Sequence, residues 1–290
     1  MQDGAASRQF CAADCLALVE RSPAAVAAQD KAAWLSLFAR YSIVEDPVGS
    51  APHLCGLYDR RTGHRGPGCL SRFFDTFIAP NTIVFHVDRD SVCGLHVMRD
   101  LTIEITMAPE VVVRVPMHLL YELTVEAGEL KIFRLAAHWE LWPMLKQQLS
   151  GGRALLTVGN AAAVRMLRYQ GIGGVAGFMR ALSSVGAPGK ERATRFAHYF
   201  NAGDATSLAG LFASPAVAVA FPQAGPRLSP AALIGQGGTL HCTKLLAAGN
   251  VVSATVAYRR ADREWQGVAL FELDRRSLRI VDLTFYWSGD

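Results

Sequence analysis

The chain has 290 residues, of which 51% are apolar, and its formal net charge is +4. This length favours two domains over one, and this apolar fraction excludes a disordered chain. The excess of basic residues is small and spread along the sequence, so nothing in it indicates a nucleic-acid-binding protein.

The six cysteines form no CxxC pair and no Cys/His group with the spacing of metal ligands. We therefore expect reduced, mostly buried thiols and no metal site. The first ten residues lack the basic and apolar regions of a secretory leader, and no segment is apolar enough to cross a bilayer. These features predict a soluble cytoplasmic protein with no membrane partner.

Helical patterns open the chain. Residues 11–21 are predicted to be helical, and Ser22 and Pro23 have the pattern of an N-cap and a first helical residue, which predicts a bend there. Asp30 is the predicted N-cap of the next helix, which carries an apolar stripe with i, i+3, i+4 spacing: Trp34, Leu37 and Phe38. An apolar strand follows and ends at Asp46.

The next part of the chain predicts a helix and then an antiparallel meander. Four apolar residues mark the helix: Leu70, Phe73, Phe74 and Phe77. Alternation of apolar and polar residues, clearest from Leu101 to Met107, indicates strands with one buried face. Four strands are predicted, at 82–88, 92–107, 111–126 and 129–142.

A tandem repeat is indicated by two matches within the chain. Asp204 and the string Leu-Phe-Ala at 211–213 repeat Asp30 and the same string at 37–39, at an offset of 174 residues. The pattern from Leu130 to Trp139 recurs from Leu278 to Trp287, at an offset of 148. These matches predict two copies of one α+β unit. We assign them to 1–142 and 189–290, joined by an Ala-, Gly- and Leu-rich helical connector at 143–188.

The first strand ends in the acidic pair Glu45 and Asp46, followed by Pro47. A carboxylate beside an apolar wall near the mouth of a cavity has its pKa raised, which suits it to move protons at neutral pH. Asp-Pro is also a common turn dipeptide, so Asp46 could simply terminate the strand. Glu45 points to the opposite face and is expected to be solvated.

The string VEDPVGS at 44–50 resembles the general-base strand of the ketosteroid isomerases, members of the cone-shaped family that also contains nuclear transport factor 2 and SnoaL-like proteins. Similarity covers about 12–142, including HRGPGCLSRFF at 64–74 and VPMHLLYEL at 115–123. An insertion at 54–64 falls where a mouth loop would lie. The resemblance implies tandem α+β cones, each a curved mixed or antiparallel sheet wrapped by N-terminal helices around an apolar pocket. It implies no cofactor and makes Asp46 the general base.

In ketosteroid isomerases, an Asp base works with a Tyr and a protonated Asp that stabilise an oxyanion. The resemblance places Ser22 at the tyrosine position and His118 at the position of the protonated Asp. For Ser22, the role of helix cap is favoured. For His118, an oxyanion donor and a core histidine bonded to backbone are both open.

Substrate-binding residues also follow from the resemblance. Strand alternation places His118 on one face with Arg114, Pro116 and Leu120, and the resemblance makes this the pocket face. Phe74 and Trp139 are expected to line the cavity, although both suit a plain core position.

The second copy lacks these groups. The resemblance places Ala220 at its base position, Phe196 at the tyrosine position and Val268 near the last-strand position. We therefore expect an inert partner that covers the outer face of the first sheet, which makes the chain an intramolecular pseudo-dimer. A further homo-oligomer stays open.

Three functions are compatible with this sequence. The first is an isomerase of ketosteroid type that acts on an apolar, ring-containing ketone such as a steroid or polyketide. The second is a dehydratase, cyclase or epoxide hydrolase of the same fold, whose relatives use Asp with His or Arg. The third is a sterol- or lipid-binding protein without catalysis.

Overall fold

The computed structural model describes residues 10–56, 68–108, 111–150 and 152–287. Most of the insertion at 54–64 therefore lies outside the described residues. No helix in the described part of the chain is long and apolar enough to cross a membrane.

The first half consists of helices packed on a six-stranded sheet. Its elements are α1 (Ala12–Ala27), α2 (Lys31–Ser36), β1 (Phe38–Glu45), β2 (His53–Cys55), α3 (Gly68–Phe73) with a π-helical turn (Phe74–Ile78), β3 (Thr82–Cys93), β4 (His96–Ala108), β5 (Val111–Glu126) and β6 (Glu129–His138). The strand order is β2-β1-β6-β5-β4-β3. Neighbouring strands are antiparallel except for the parallel pair β1 and β6.

The second half repeats this arrangement. Two helices come first, α4 (Leu141–Ser150) and α5 (Gly152–Met179), then a 3-10 turn (Arg180–Leu182), α6 (Gly186–Ala202), α7 (Ala205–Gly210), β7 (Val219–Ala220), β8 (Arg227–Leu228), α8 (Pro230–Ile234), β9 (Thr239–Ala248), β10 (Val251–Arg260), β11 (Arg263–Leu273) and β12 (Ile280–Trp287). The order β8-β7-β12-β11-β10-β9 matches the first sheet strand for strand. The predicted tandem α+β fold is confirmed.

The repeated aspartates begin equivalent helices. Asp30 accepts a hydrogen bond from the amide of Ala33 at 2.9 Å, and Asp204 accepts one from the amide of Ser207 at 2.9 Å. Each bond satisfies an amide that the first helical turn leaves free. The predicted cap at Asp30 is therefore confirmed.

The prediction that a second helical segment begins at Pro23 is wrong, because α1 runs through this residue as one helix. Ser22 is therefore not an N-cap. It is buried, and its hydroxyl accepts a hydrogen bond from Trp34 Nε1 at 3.2 Å. Buried residues on both sides of the proline, including Val19 and Val26, hold the helix on the sheet, so tertiary packing outweighs the bond that proline removes.

Several predicted boundaries also move, and the strands predicted at 82–88 and 92–107 are Thr82–Cys93 and His96–Ala108. Phe38 belongs to β1 and not to the preceding helix, which ends at Ser36. The fourth predicted strand ends at His138, because helix α4 begins at Leu141.

The two sheets pack against each other through their outer faces. One buried cluster joins residues of both halves: Val48, Cys93, Met98, Leu120 and Ala136 from the first, and Ala248, Val268 and Tyr286 from the second. Each half keeps its own larger core on the other face of its sheet, under its helices. Both faces of the central strands are therefore buried.

Backbones of the two halves touch beside the β1 strand. Gly49, with φ +93°, lies against Gly249, with φ +58°, in the turn between β9 and β10. A Cβ atom added to Gly249 would lie 2.7 Å from the Cα atom of Gly49. The amide of Val185 donates to the Gly249 carbonyl at 2.8 Å, which fixes the turn. No side chain fits at this contact.

Candidate functional site

Asp46 occupies a fixed position directly after β1. Glu45 pairs with Ala136 in the parallel ladder, and the amide of Val48 donates to the Ala137 carbonyl at 2.8 Å. The chain on both sides of Asp46 is therefore bonded to β6. Asp46 has the same strand parity as Val44, which belongs to the core on the helix side of the sheet.

Trp139 is the side-chain partner of Asp46. Its Nε1 donates a hydrogen bond to Asp46 Oδ1 at 2.5 Å. Burial raises the pKa of Asp46 to about 6, and the Trp139 hydrogen bond opposes this rise. A carboxyl group with such a pKa exchanges protons readily near neutral pH, as a general base requires. The Trp139 hydrogen bond fixes the position of Oδ1.

Aromatic and aliphatic side chains surround this part of the site. Phe74 and Trp139 both belong to the buried core on the helix side of the first sheet. The Phe74 ring lies 5.7 Å from that of Trp34, measured between centroids. The structure thus places these two predicted substrate-binding residues on the same side of the sheet as Asp46.

His118 lies on the opposite face of the sheet, so the prediction that it faces the pocket is wrong. It is completely buried between the halves, with Nδ1 2.7 Å from Ser253 Oγ and Nε2 3.0 Å from Thr255 Oγ1. It is a core histidine, although its partners are side chains of the second sheet.

The other β5 residues predicted to face the pocket also lie on the opposite face of the sheet. Arg114 is exposed and bonded to Glu104 at 2.9 Å, and Pro116 is also exposed. Leu120 packs in the cluster between the sheets. The odd-numbered residues of β5, among them Leu119 and Tyr121, face the helix-side core instead. A shift of one residue exchanges the two faces of a strand.

His118 belongs to a buried polar network that joins the sheets. Asp100 accepts hydrogen bonds from Lys244 Nζ at 2.5 Å and from the Thr255 hydroxyl at 2.5 Å. Burial acts to raise the pKa of Asp100, but the bonds from His118, Lys244 and Thr255 outweigh it and hold this pKa below its usual range. Because the Thr255 proton goes to Asp100, its oxygen accepts from His118 Nε2, and Nδ1 accepts from Ser253.

We expect His118→Ala to affect stability and not catalysis. The change leaves the hydroxyls of Ser253 and Thr255 without their buried partner, which costs about 1 to 3 kcal/mol of unfolding free energy. Denaturant unfolding measures this loss. Turnover per folded molecule should stay at the wild-type value, and a large fall in kcat without loss of stability would contradict the placement of His118.

A second polar group on the helix side was missed by the sequence analysis. Tyr121 is buried, and its hydroxyl is hydrogen-bonded to Ser22 and lies near Arg99. Burial raises the pKa of Tyr121, and the Ser22 bond opposes this rise, so the phenol keeps its proton at neutral pH. Arg99, also buried, donates from Nε to Asp90 at 2.7 Å. Its Nη1 has no hydrogen-bond partner in the described part of the chain.

No metal site is evident among the described residues, since no three His, Cys, Asp or Glu side chains come together there. None of the six cysteines, all of which lie among the described residues, forms a disulfide bond, and Cys15, Cys55 and Cys93 are buried.

Comparison with known proteins finds several similar solved structures. No protein-family model and no curated protein matches the chain. The chain is similar to ketosteroid isomerases. The Δ5-3-ketosteroid isomerase from Mycobacterium sp. is 29% identical over 43% of this chain and 92% of its own, with a TM-score of 0.36.

Two Mycobacterium tuberculosis structures are also similar. A protein in complex with estradiol-17beta-hemisuccinate is 24% identical over 45% of this chain and 96% of its own, with a TM-score of 0.37. An LEH-like epoxide hydrolase is 16% identical over 50% of this chain and 97% of its own, with a TM-score of 0.39. Each match thus spans half of this chain or less.

The second half has no counterpart of Asp46. Leu283 pairs with Val219 as Leu135 pairs with Val44, so the position of Asp46 is equivalent to Phe221. The prediction of Ala220 is wrong by one residue, because the second copy has one extra residue after its Leu-Phe-Ala string.

Aromatic rings fill the corresponding space in the second half. Phe221 packs against Trp287, the equivalent of Trp139, with centroids 4.6 Å apart. Phe196, at the predicted tyrosine position, is fully buried, and its ring lies 5.4 Å from that of Phe271. Val268 belongs to the cluster between the sheets. An Asp–Trp pair in the first half is therefore replaced by a ring–ring contact in the second.

Proposed function

We propose that this chain is an enzyme that moves a proton between carbons of an apolar, ring-containing ketone such as a steroid or polyketide, with Asp46 as general base. The observation that carries the proposal is the Asp46 carboxyl group, bonded to Trp139 beside an apolar core and with a pKa of about 6. A base with this pKa is ionised at neutral pH, and its conjugate acid still returns the proton readily.

The proposed reaction has two steps. Asp46 Oδ2 removes a proton from the carbon next to the carbonyl, and the electrons of the C–H bond move into a dienolate whose negative charge rests on the carbonyl oxygen. Asp46 then returns the same proton to the far carbon of the dienolate. The double bond has moved, and the base is regenerated with no net change in atoms or electrons.

The carbonyl oxygen needs a hydrogen-bond donor, and we propose Tyr121 for this role. Tyr121 pairs with Leu135 on β6, and Leu135 pairs with Val44 on β1. At about 4.8 Å per strand and 3.3 Å per residue, the Cα atoms of Tyr121 and Asp46 are about 12 Å apart on one face of the sheet. The phenol also contacts Ser22, the position that the resemblance gives to the tyrosine of the ketosteroid isomerases.

We expect Tyr121→Phe to lower kcat about a hundredfold with little change in KM, because the lost bond stabilises the transition state more than the bound ketone. Steady-state kinetics at neutral pH measure both constants. Tyr41→Phe, at an exposed tyrosine of β1, is the matched control and should leave both unchanged. An unchanged kcat in Tyr121→Phe would exclude Tyr121 as the donor.

The experiment that tests the activity uses the full chain with a Δ5-3-ketosteroid. Formation of the conjugated Δ4 ketone is followed by its ultraviolet absorbance, and steroid binding is measured in parallel by quenching of tryptophan fluorescence. Turnover that Asp46→Asn abolishes supports the proposal. Binding with no turnover of any ketone tested would indicate the carrier function instead.

A second candidate is hydrolysis of an epoxide or a related cyclisation. The observation that favours it is the ion pair of the buried Arg99 and the half-buried Asp90 beside Tyr121, since a carboxylate held by a guanidinium group can position a water molecule for attack. Epoxide opening in H₂¹⁸O distinguishes it, because the diol gains one ¹⁸O atom. This candidate is supported if Arg99→Lys abolishes diol formation.

A further inference from the structure

All the charged residues in the segment 141–190 are basic. It contains six basic residues, Lys146, Arg153, Arg165, Arg168, Arg180 and Lys190, and no Asp or Glu. Lys190 contacts Glu140 at 2.7 Å, which offsets its charge, and the other five basic residues make the segment positive. Helices α4 and α5 occupy most of it.

Large apolar side chains on these two helices point into solvent. Ile172 is 80% exposed and Val164 is 66% exposed, and Trp142, Leu167 and Met179 are also exposed. In α5, Val164 and Leu167 are three residues apart and lie on one side of the helix before its kink at Gly171. Exposed apolar side chains gathered in one segment indicate a surface that binds something. We call these five residues the outward apolar side.

Other residues of α5 fix this helix to the first half next to the site. The Phe178 ring stacks on Phe77 with centroids 5.7 Å apart. Gln170 Nε2 donates to Thr76 Oγ1 at 3.2 Å, and the amide of Ala51 donates to the Gly177 carbonyl at 3.0 Å. These contacts hold α5 on the first half.

We propose that the outward apolar side of α4 and α5 docks on an anionic lipid surface. Helices with exposed apolar side chains and flanking Lys and Arg residues bury the former at the level of the lipid headgroups, while the cations contact acidic headgroups. Lys146 Nζ lies 5.7 Å from the centre of the exposed Trp142 ring, and tryptophan next to a cation is typical of side chains at membrane interfaces.

Charge favours lipid over a second copy of this chain. A symmetric dimer through the outward apolar side would bring two copies of the same positively charged segment together, and their repulsion opposes association. An anionic lipid surface neutralises that charge. The sequence-based expectation of no membrane partner considered spanning segments, and docking on a surface requires none.

Sedimentation with vesicles tests the proposal. The full chain is incubated with phosphatidylcholine vesicles that either contain or lack phosphatidylglycerol. We expect sedimentation with the anionic vesicles and at least tenfold weaker binding to the neutral ones. Added salt should weaken the anionic binding, because it screens exposed charges.

The variant Leu167→Asp/Ile172→Asp should bind the anionic vesicles at least tenfold more weakly than the wild type. Its matched control is Val112→Asp/Val125→Asp, which adds the same charge at two exposed valines of β5 and should bind as the wild type does. Circular dichroism confirms that both variants are folded. Full binding by Leu167→Asp/Ile172→Asp, or no binding by the wild type at low salt, would overturn the proposal. A concentration-dependent dimer that only this variant loses would assign the surface to a second copy.

Discussion

Replacing Asp46 with Asn should lower the proton-transfer rate by about 10² to 10⁴-fold, the usual contribution of a positioned general base. The amide keeps the size of the carboxyl group and still accepts the Trp139 hydrogen bond, so ligand affinity should change little. In the wild type, kcat/KM should rise tenfold per pH unit below about pH 6, the pKa of Asp46, and level off above it, because only the ionised form accepts a proton.

The control is Glu45→Gln at the adjacent residue. Glu45 contacts Arg134 at 2.6 Å on the other side of the strand, so its loss should cost at most about 1 kcal/mol of stability and leave turnover unchanged. Wild-type turnover by Asp46→Asn, or an equal loss in both variants, would exclude Asp46 as the base.

Unfolding of the wild type and of Asp46→Asn tests the pKa of Asp46 without any substrate. The pKa of Asp46 rises from 3.8 to about 6 on folding, so its favourable contribution is complete below about pH 4 and is lost as the pH rises through 6. Relative to Asp46→Asn, the wild type should therefore lose about 2 kcal/mol of stability between pH 4 and pH 7.5. Denaturant unfolding at the two pH values checks this difference.

Gly249→Ala should destabilise the contact between the halves for two separate reasons. At φ +58° an alanine costs about 1 to 2 kcal/mol. Its Cβ would also lie 2.7 Å from Gly49 Cα, and relieving such overpacking costs about 1 to 3 kcal/mol more. Since Gly49 is three residues from Asp46, turnover should fall as well. Thermal unfolding and steady-state kinetics measure the two effects.

Gly94→Ala separates backbone strain from this contact. Gly94 has the same φ of +58°, but a Cβ atom there would meet nothing within 4 Å. The Gly94→Ala variant should therefore lose only the roughly 1 to 2 kcal/mol that alanine costs at this positive φ, and its turnover should be normal. If the two alanine variants are equally stable, the contact between Gly49 and Gly249 does not hold the halves together.

The sequence predicted the repeated architecture well because local signals there agree with the fold. Asp30 and Asp204 cap equivalent helices, and the two sheets share one strand order. Which residues of β5 face the helix-side core could not be predicted from such local signals. From Met117 to Tyr121 every residue of this strand is buried, because the second sheet covers the outer face, and apolar alternation disappears when both faces are buried.

In the candidate site, too, local sequence signals identified single residues but not their contacts. Asp46 was found because it lies in a short, distinctive string after a strand. Its contact with Trp139 joins residues 93 positions apart, and neither residue signals the other in the sequence. Tyr121 was missed because its face was assigned to the wrong side, and Phe221 was missed because a single added residue changes the offset between the copies.

The covalent link between two sheets that pack face to face has a consequence for how the protein behaves on dilution. Separate subunits dissociate as their concentration falls, whereas a tethered partner stays at a high effective concentration, on the order of millimolar for short flexible linkers. The outer face of the first sheet, with His118 and Leu120, therefore stays covered at any protein concentration. For the proposed enzyme, we expect a specific activity that stays constant down to nanomolar protein.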